Sequence, residues 1–264
     1  MPRTRAVDKG AFVELGAFEA PGLAPRRARA WVPKTPPGRK RPALVLFDGQ
    51  NVFDDAGSYA GGWHAHEAVD RLAARGPIVA PVVIAVDHGG EQRIDELAPW
   101  SDGKRGGRLD AVLDLVVGKV LPAAHAKLPL RDGPMARVIG GSSMGGLAAA
   151  WAHLARQDVF YGALAMSPSL WFAHARIVEE VARLPVPARS RFYVDGGARE
   201  MRGVLLATCH ALAGVLRQRG WVDGNAKGLA RAERTVWLRP DAKGTHAEHH
   251  WRRRLPQALR FLFA

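Results

Sequence analysis

Apolar strand-like runs alternate with helix-period segments along this chain, and this alternation restricts the fold most. The runs that predict strands are ARAWV around Trp31, PALVLF ending at Phe47, PIVAPVVIAV ending at Val86, ARVIG ending at Gly140, GALAM ending at Met166, RFYV ending at Val194 and RTVWL ending at Leu238. The segments that predict helices are HAHEAVDRLAA from His64, LDAVLDLVVGKVLPAAHAKL from Leu109, MGGLAAAWAHLA from Met144, MRGVLLATCHALAGVLRQ from Met201 and WRRRLPQALRFLF from Trp251. Strand and helix alternation predicts an α/β fold, with a mostly parallel central sheet and helices on both faces.

The N-terminal stretch departs from this alternation. It is interrupted by PPGRKRP at residues 36–42, and we interpret it as an antiparallel hairpin that opens the sheet. No segment is rich enough in Pro, Gly or Ser to act as a linker, and 264 residues fit one large α/β domain. We therefore predict a single domain over residues 1–264.

Composition argues against several classes of protein. The 38 basic residues exceed the 25 acidic ones, but they are scattered, with no stripe of interleaved aromatic residues, so dedicated nucleic-acid binding is not expected. No apolar run approaches the ~18 residues of a membrane span, and MPRTRAVDKG leads into no apolar signal region. A single cysteine, Cys209, excludes an intrachain disulfide. We expect a cytoplasmic protein that does not bind membranes.

The stretch VIGGSSMGGLAAAWAHLAR contains the motif G-x-S-x-G, formed by Gly141, Ser143 and Gly145. A predicted strand precedes it and a predicted helix follows it, which is the context of a nucleophile elbow, a turn that exposes a reactive serine. The alternative is a serine that only caps the helix. We predict that Ser143 is the nucleophile and that Ser142 supports the turn.

A serine nucleophile needs a general base, which in this kind of fold lies between the last strand and the last helix. That loop, DAKGTHAEHH, contains His246, His249 and His250. His249 and His250 adjoin the helix, so we favour His246 as the base. HAEHH does not have the H-E-x-x-H spacing of a zinc site, and His64 and His66 are too close in sequence to face each other on a helix, so no metal site is predicted.

The acid and the oxyanion donors have several candidates. Asp195 and Glu200 both follow the strand RFYV, and we choose Glu200 because the more distant position reaches a histidine from another loop more easily, with Asp195 as the fallback. A carboxylate at a helix start is the alternative role of Glu200. The backbone N–H of Met144 is one predicted oxyanion donor, and Gly49 and Gln50 in the loop DGQNVFDD supply the other.

Some residues are candidates for substrate binding. Arg93 and Glu96 either bind an anionic substrate or form ion pairs that fix their loop against the elbow. Aromatic side chains either form the wall of an acyl pocket or belong to the core; they are Trp63, Trp100, Trp171 and Phe172.

Several separated stretches together resemble one family. They are LVLFDGQNVFDD, VIAVDHGGEQRIDELAPW, GGSSMGGLAA, ALAMSPSLWF, YVDGGARE and GTHAEHHWRRRLPQALRFL. This set, from Trp31 to Phe263, resembles the esterase D group of α/β-hydrolases, which includes enterochelin-type siderophore esterases, S-formylglutathione hydrolases and feruloyl esterases. The resemblance implies Ser143 as nucleophile, His246 as base, Glu200 as acid and no cofactor.

We predict a serine hydrolase that cleaves small-molecule carboxylic esters through an acyl-enzyme. An alternative within the same family is a siderophore esterase that acts on an enterobactin-type trilactone. An alternative of another class is a catalytically idle binding protein that retains the fold.

Overall fold

The computed structural model describes residues 10–58, 60–76, 78–225 and 233–264. The strands found there are β1 (Ala11–Phe18), β2 (Arg26–Val32), β3 (Ala43–Phe47), β4 (Val82–Val86), β5 (Arg137–Ser142), β6 (Gly162–Met166), β7 (Ser190–Gly197), β8 (Val222–Asp223) and β9 (Arg234–Asp241). They form one sheet in the order β1-β2-β4-β3-β5-β6-β7-β9-β8. The pairs from β4 to β8 are parallel, whereas β1 with β2 and β2 with β4 are antiparallel.

Helices cover both faces of this sheet. The described helices are α1 (Ala65–Ala74), α2 (Arg93–Leu97), α3 (Leu109–Leu115), α4 (Leu121–Lys127), α5 (Met144–Ala155), α6 (Phe172–Arg183), α7 (Val204–Gln218) and α8 (Glu248–Phe263). Val45 of β3 belongs to an apolar cluster with Leu147 of α5, while its neighbour Leu44 belongs to a second cluster with Leu255 of α8. Because successive residues of a strand point to opposite faces, strands buried on both faces read as continuous apolar runs. The predicted α/β fold with a mostly parallel sheet is confirmed.

The antiparallel hairpin at the N-terminus is also confirmed, but its strands lie earlier in the chain than PPGRKRP suggests. It consists of β1 and β2, with Ala11 opposite Val32, and the two strands are joined by a turn around Gly22. The strands that flank residues 36–42 are β2 and β3, and β4 lies between them in the sheet. The strand β1 was missed because it lies at the sheet edge, where half of its residues are exposed and no apolar run is required.

The predicted long helix from Leu109 is interrupted in its middle. A π-helical turn, Val116–Val120, separates α3 from α4. Pro122 follows this turn and has no N–H to donate to a carbonyl of the preceding turn, a condition under which helices kink or widen. None of the helices in the described part of the chain combines the length and apolar composition needed to cross a membrane.

The carboxyl ends of the parallel strands lie along one edge of the sheet, where open α/β sheets place their ligand sites. The segments that carry the candidate residues all begin there. Asp48 follows β3, Ser143 follows β5, Ser167 follows β6, and Glu200 and His246 lie in the loops after β7 and β9. The interpretation of residues 1–264 as a single domain stays a prediction. The expected lack of a signal region depends partly on residues 1–9, which lie outside the described residues.

Candidate active site

Ser143 occupies a sharp turn between β5 and α5. Its backbone angles, φ 55° and ψ −123°, lie in a region that non-glycine residues rarely adopt. The turn is held from both sides: the Ser143 N–H donates to the carbonyl of Met166 at 3.0 Å, and the Ser143 carbonyl accepts the N–H groups of Leu147 at 3.0 Å and Ser169 at 2.9 Å. This strand, strained turn and helix have the geometry of a nucleophile elbow.

The glycines of G-x-S-x-G are required by close packing. A Cβ atom on Gly141 would lie 2.5 Å from the carbonyl carbon of Gly145. A Cβ atom on Gly145 would lie 2.8 Å from Oδ2 of Asp48, in the loop after β3. Because glycine has no Cβ atom, the elbow and the loop after β3 can approach each other closely.

Ser143, His246 and Glu200 form one chain of hydrogen bonds. His246 Nε2 lies 2.9 Å from Ser143 Oγ, and His246 Nδ1 lies 2.6 Å from Glu200 Oε2. The Glu200 side chain is fully buried, whereas 40% of the His246 side chain is exposed. The imidazole therefore lies between a buried carboxylate and a hydroxyl that solvent can approach.

The charge state of Glu200 assigns the protons in this chain. Burial acts to raise the pKa of Glu200, but hydrogen bonds from His246, Ser167 Oγ and the Gly197 N–H outweigh it and lower that pKa below its ordinary value. An ionised carboxylate only accepts hydrogen bonds, so Nδ1 of neutral His246 carries the proton. Its Nε2 then accepts the Ser143 hydroxyl proton, which is the arrangement that a general base needs.

Asp195, the fallback for the acid, has other partners. Its carboxylate accepts the N–H of Ser167 at 2.9 Å and the hydroxyl of Tyr193 at 2.9 Å, and it lies 3.1 Å from Nε of Arg254. Burial raises its pKa. Glu200 is the residue of the two whose carboxylate contacts His246.

The two other histidines of the loop belong to the start of α8. The rings of His249 and His250 lie 4.2 Å apart, and His250 Nδ1 lies 3.1 Å from a guanidinium nitrogen of Arg253. This location agrees with the interpretation of these residues as part of the helix start.

The loop with the predicted oxyanion donors Gly49 and Gln50 is fixed beside the elbow. The third predicted donor, Met144, is the first residue of α5 and directly follows Ser143. Gly49–Asn51 form a short 3-10 turn after Asp48. Arg93 contacts the buried Asp48 carboxylate through two nitrogens, with Nε–Oδ1 at 2.6 Å and Nη2–Oδ2 at 2.7 Å. Glu96 pairs instead with Arg26 at 2.7 Å. Both residues thus form structural ion pairs, and the expectation that Arg93 binds substrate gains no support from these contacts.

The predicted aromatic pocket residues differ in exposure. Trp63 is 3% exposed and packs against Trp251, which favours the core alternative, and its contribution to a pocket wall stays a prediction. Trp100 packs edge to face against Trp151 at 4.7 Å and is partly buried. Trp171 is 37% exposed and follows Ser169, whose Oγ lies 3.3 Å from Ser143 Oγ. Of the three predicted pocket tryptophans, Trp171 is the most exposed, and its role in substrate binding stays a prediction.

A second serine–histidine contact lies inside the protein. His153 Nε2 is 2.8 Å from Ser190 Oγ, and His153 Nδ1 is 3.1 Å from the carbonyl of Phe160. Both side chains are fully buried, and burial lowers the pKa of His153 to about 4. Because His153 is buried in its neutral form and no substrate can reach Ser190, this pair stabilises the core and is not a candidate for catalysis.

His64 and His66 have separate partners and share no ligand set. His64 contacts Asp55 at 2.8 Å and Glu67 at 3.2 Å, while the His66 ring packs against Phe12 and Trp31. Across residues 10–58, 60–76, 78–225 and 233–264, no three side chains of His, Cys, Asp or Glu are grouped as a metal ion would require.

Ser167, Ser169 and Arg254 contact the site but were not singled out from the sequence. Ser167 and Ser169 lie in SPSLWF, which contributed to the family resemblance without any assigned role. Arg254 lies in RRR at the start of the last helix, where it resembles its exposed neighbours. In the structure it is 1% exposed.

A comparison with protein families finds a match over residues 24–262 to the family model Esterase, described as "Putative esterase". Two curated relatives match about half of the chain. The Iron(III) salmochelin esterase of Escherichia coli O6:H1 (strain CFT073) is 28% identical over 153 residues, which cover 57% of this chain and 34% of the relative. The Iron(III) enterobactin esterase of Dickeya dadantii (strain 3937) is 30% identical over 142 residues, which cover 53% of this chain and 29% of the relative. The matched regions thus span about a third of these relatives.

A solved structure matches nearly all of the chain. The enterobactin esterase FES from Shigella flexneri, determined in the presence of enterobactin, superposes with a TM-score of 0.74 and 22% identity, covering 98% of this chain and 60% of the other. This likeness shows the fold, which is that of the α/β-hydrolases.

Proposed function

The chain belongs to the esterase family, and on that premise we propose that it is a serine hydrolase of small-molecule carboxylic esters. Ser143 is the nucleophile, His246 the general base and Glu200 the acid that orients it. The observation that carries this proposal is the hydrogen-bond chain from Glu200 Oε2 through His246 to Ser143 Oγ, at 2.6 Å and 2.9 Å.

The proposed reaction begins with transfer of the Ser143 hydroxyl proton to His246 Nε2 while Oγ bonds to the ester carbonyl carbon. The tetrahedral intermediate collapses and the ester C–O bond breaks. The leaving alkoxide takes the proton from Nε2 and departs as the alcohol. Glu200 stabilises the imidazolium that exists between these two transfers.

The second half of the reaction uses the same groups with water. Water attacks the acyl carbonyl and gives a proton to His246 Nε2. Collapse of the second intermediate releases the acid and returns the proton to Ser143 Oγ, so the enzyme is regenerated. The 40% exposure of the His246 side chain supports access of that water.

The negative oxygen of both intermediates needs backbone donors. We assign the N–H of Met144 and an N–H from Gly49 or Gln50 to this oxyanion hole. The position of Met144 at the start of α5, where N–H groups have no helical partner, supports the first assignment. The Asp48–Arg93 ion pair beside the elbow supports the second, because it fixes the adjoining loop.

A fluorophosphonate probe tests the proposal directly. We expect stoichiometric labelling at neutral pH in the wild type, none in Ser143→Ala, and undiminished labelling in Ser190→Ala, in which a buried hydroxyl away from the elbow is lost. Folded wild-type protein that is not labelled would contradict the proposal and favour an idle binding protein.

A second candidate concerns the substrate. The two curated relatives are named as esterases of iron(III) salmochelin and iron(III) enterobactin, which favours a siderophore trilactone. Hydrolysis of such a trilactone is to be compared with that of p-nitrophenyl esters of increasing chain length. A kcat/KM for the trilactone well above that for every p-nitrophenyl ester supports this candidate, and the reverse order supports a general carboxylesterase. The cytoplasmic location and the lack of nucleic-acid binding stay predictions.

A further inference from the structure

Ser167 lies at the centre of a buried group of hydrogen bonds that includes the carboxylate of Glu200. Its Oγ is 2.7 Å from Nη2 of Arg254, 3.0 Å from Nε1 of Trp251 and 2.8 Å from Oε1 of Glu200. Ser167 is fully buried, so water does not compete for these contacts.

The chemistry of these partners assigns the Ser167 proton. A guanidinium and an indole N–H only donate hydrogen bonds, so both must donate to the lone pairs of Ser167 Oγ. The single hydroxyl proton is then directed to Oε1 of Glu200. Because Oε1 also accepts the N–H of Gly197 at 2.7 Å, this oxygen is fully occupied, and Oε2 is the one left for His246.

Arg254 connects this group to the loop that carries His246. Its Nε lies 3.1 Å from Asp195 Oδ2, and its Nη1 lies 3.8 Å from Glu200 Oε1 and 3.7 Å from Asp241 Oδ2. The carbonyl of Asp241 accepts the N–H of Gly244, and the carbonyl of Gly244 accepts the N–H of Arg199. One buried guanidinium thus faces both the acid and Asp241, the last residue of β9, from which the histidine loop continues.

We propose that Ser167 and Arg254 are positioning residues, which hold the Glu200 carboxylate with Oε2 directed at His246 and keep the acid and histidine loops in register. This inference rests on the proposed function, in which Glu200 acts through His246. Neither side chain touches the reacting atoms: Ser167 acts on the rate through Glu200, and Arg254 acts through Glu200 and the histidine loop.

The kinetic test uses Ser167→Ala and the matched control Ser190→Ala, which also removes a buried hydroxyl that accepts a tryptophan N–H. A hydrogen bond to a charged group predicts that kcat for a p-nitrophenyl ester falls about 10- to 100-fold in Ser167→Ala, with KM changed less than about threefold. The control should keep the wild-type kcat. In a Glu200→Ala background, Ser167→Ala should lower kcat less than about threefold further, since residues that act through one group are not additive. Full additivity would overturn the proposal.

The control for Arg254 is Arg26, which forms a similarly buried ion pair with Glu96. The hydrogen bonds of Arg26 go to Ala24 and Glu96 and to no residue of the proposed triad. Arg254→Lys keeps the charge but not the planar set of donors, so we expect a reduced kcat with unchanged KM, whereas Arg26→Lys should affect stability only. Equal effects of the two substitutions on kcat would contradict a positioning role. Should Arg254→Lys fail to fold, Ser167→Ala remains the deciding variant.

A second measurement is independent of activity. Correlation spectra of protein with ¹⁵N-labelled histidine report which ring nitrogen of His246 carries the proton, above the titration midpoint measured in the same spectra. We expect the Nδ1–H tautomer in the wild type and Ser190→Ala, and a mixture of tautomers in Ser167→Ala. An unchanged tautomer in Ser167→Ala refutes the positioning role. A tautomer shift in a protein that hydrolyses no ester would instead refute the proposed function and leave the positioning role in place.

Discussion

Substitution of Glu200 by glutamine preserves the shape of the side chain but reverses the hydrogen bond to His246. Oε1 of Glu200 accepts hydrogen bonds from Ser167 Oγ and the Gly197 N–H. In Glu200→Gln the amide oxygen must occupy that position, since an NH2 group there would face two donors. The NH2 group is then placed 2.6 Å from His246 Nδ1, where Oε2 lies in the wild type.

The consequence is an exchange of tautomer. An amide NH2 donates to Nδ1, so the imidazole proton moves to Nε2, and Nε2 can no longer accept the proton of Ser143. Replacement of a triad acid by its amide in serine hydrolases lowers kcat by about 10⁴ for this reason. At 1.36 kcal/mol per decade, a fall of 10³ to 10⁴ corresponds to about 4 to 5.5 kcal/mol of transition-state stabilisation.

The assay is kcat/KM for p-nitrophenyl acetate, with circular dichroism and thermal unfolding to establish that each variant is folded. Asp195→Asn is the matched control, because it makes the same chemical change in a buried carboxylate that does not contact His246. We expect a loss of at least about 10³ for Glu200→Gln and of about tenfold for Asp195→Asn. The reasoning would be refuted by a kcat/KM of Glu200→Gln within tenfold of the wild-type value, or by a loss of kcat/KM in Asp195→Asn that exceeds the loss in Glu200→Gln.

Three further substitutions test other parts of the structure. In Gly145→Ala the new Cβ meets Asp48 Oδ2 at 2.8 Å. We therefore expect probe labelling of Ser143 to slow at least about tenfold and the free energy of unfolding to fall by about 1–3 kcal/mol. The control Gly214→Ala places its Cβ in open space and should change neither quantity. Arg93→Met leaves the buried Asp48 carboxylate unpaired, and urea denaturation should show a loss of about 3 kcal/mol or more. Burial lowers the pKa of His153 from 6.5 to about 4, so the unfolded chain takes up this proton first as the pH falls. The free energy of unfolding should decrease by about 3 kcal/mol between pH 6.5 and 4, and His153→Gln should lack that component.

The sheet could be predicted where burial on both faces leaves a mark in the sequence. The runs ending at Phe47, Val86 and Met166 correspond to β3, β4 and β6, in which every residue is buried. The exposed edge strand β1 leaves no such mark, and the neighbour relation between β2 and β4 depends on contacts between distant segments. Pattern therefore predicted the elements of the buried sheet better than the pairing at its edge.

The same distinction holds for the candidate site. Ser143 could be proposed because a tight turn between a strand and a helix needs glycines at fixed, local spacings. The choice between Asp195 and Glu200 depends on where a loop from another strand places His246, which local sequence does not contain. No sequence pattern identifies Arg254, because nothing in the run RRR distinguishes a buried arginine from an exposed one. Its neighbours Arg252 and Arg253 are exposed to 41% and 54%.

Three neighbouring strands of the sheet end in the same unusual way. The residues that follow β3, β5 and β6 are Asp48, Ser143 and Ser167, and all three have positive φ, at 57°, 55° and 40°. Each such non-glycine residue costs about 1–3 kcal/mol and persists only where its surroundings determine it. Here each side chain is held by a specific partner: Asp48 by Arg93, Ser143 by His246, and Ser167 by Arg254. At these three positions the strain and the bonds that hold it fall on residues that form or support the proposed site, so part of the stability of the fold fixes the geometry of that site before substrate arrives.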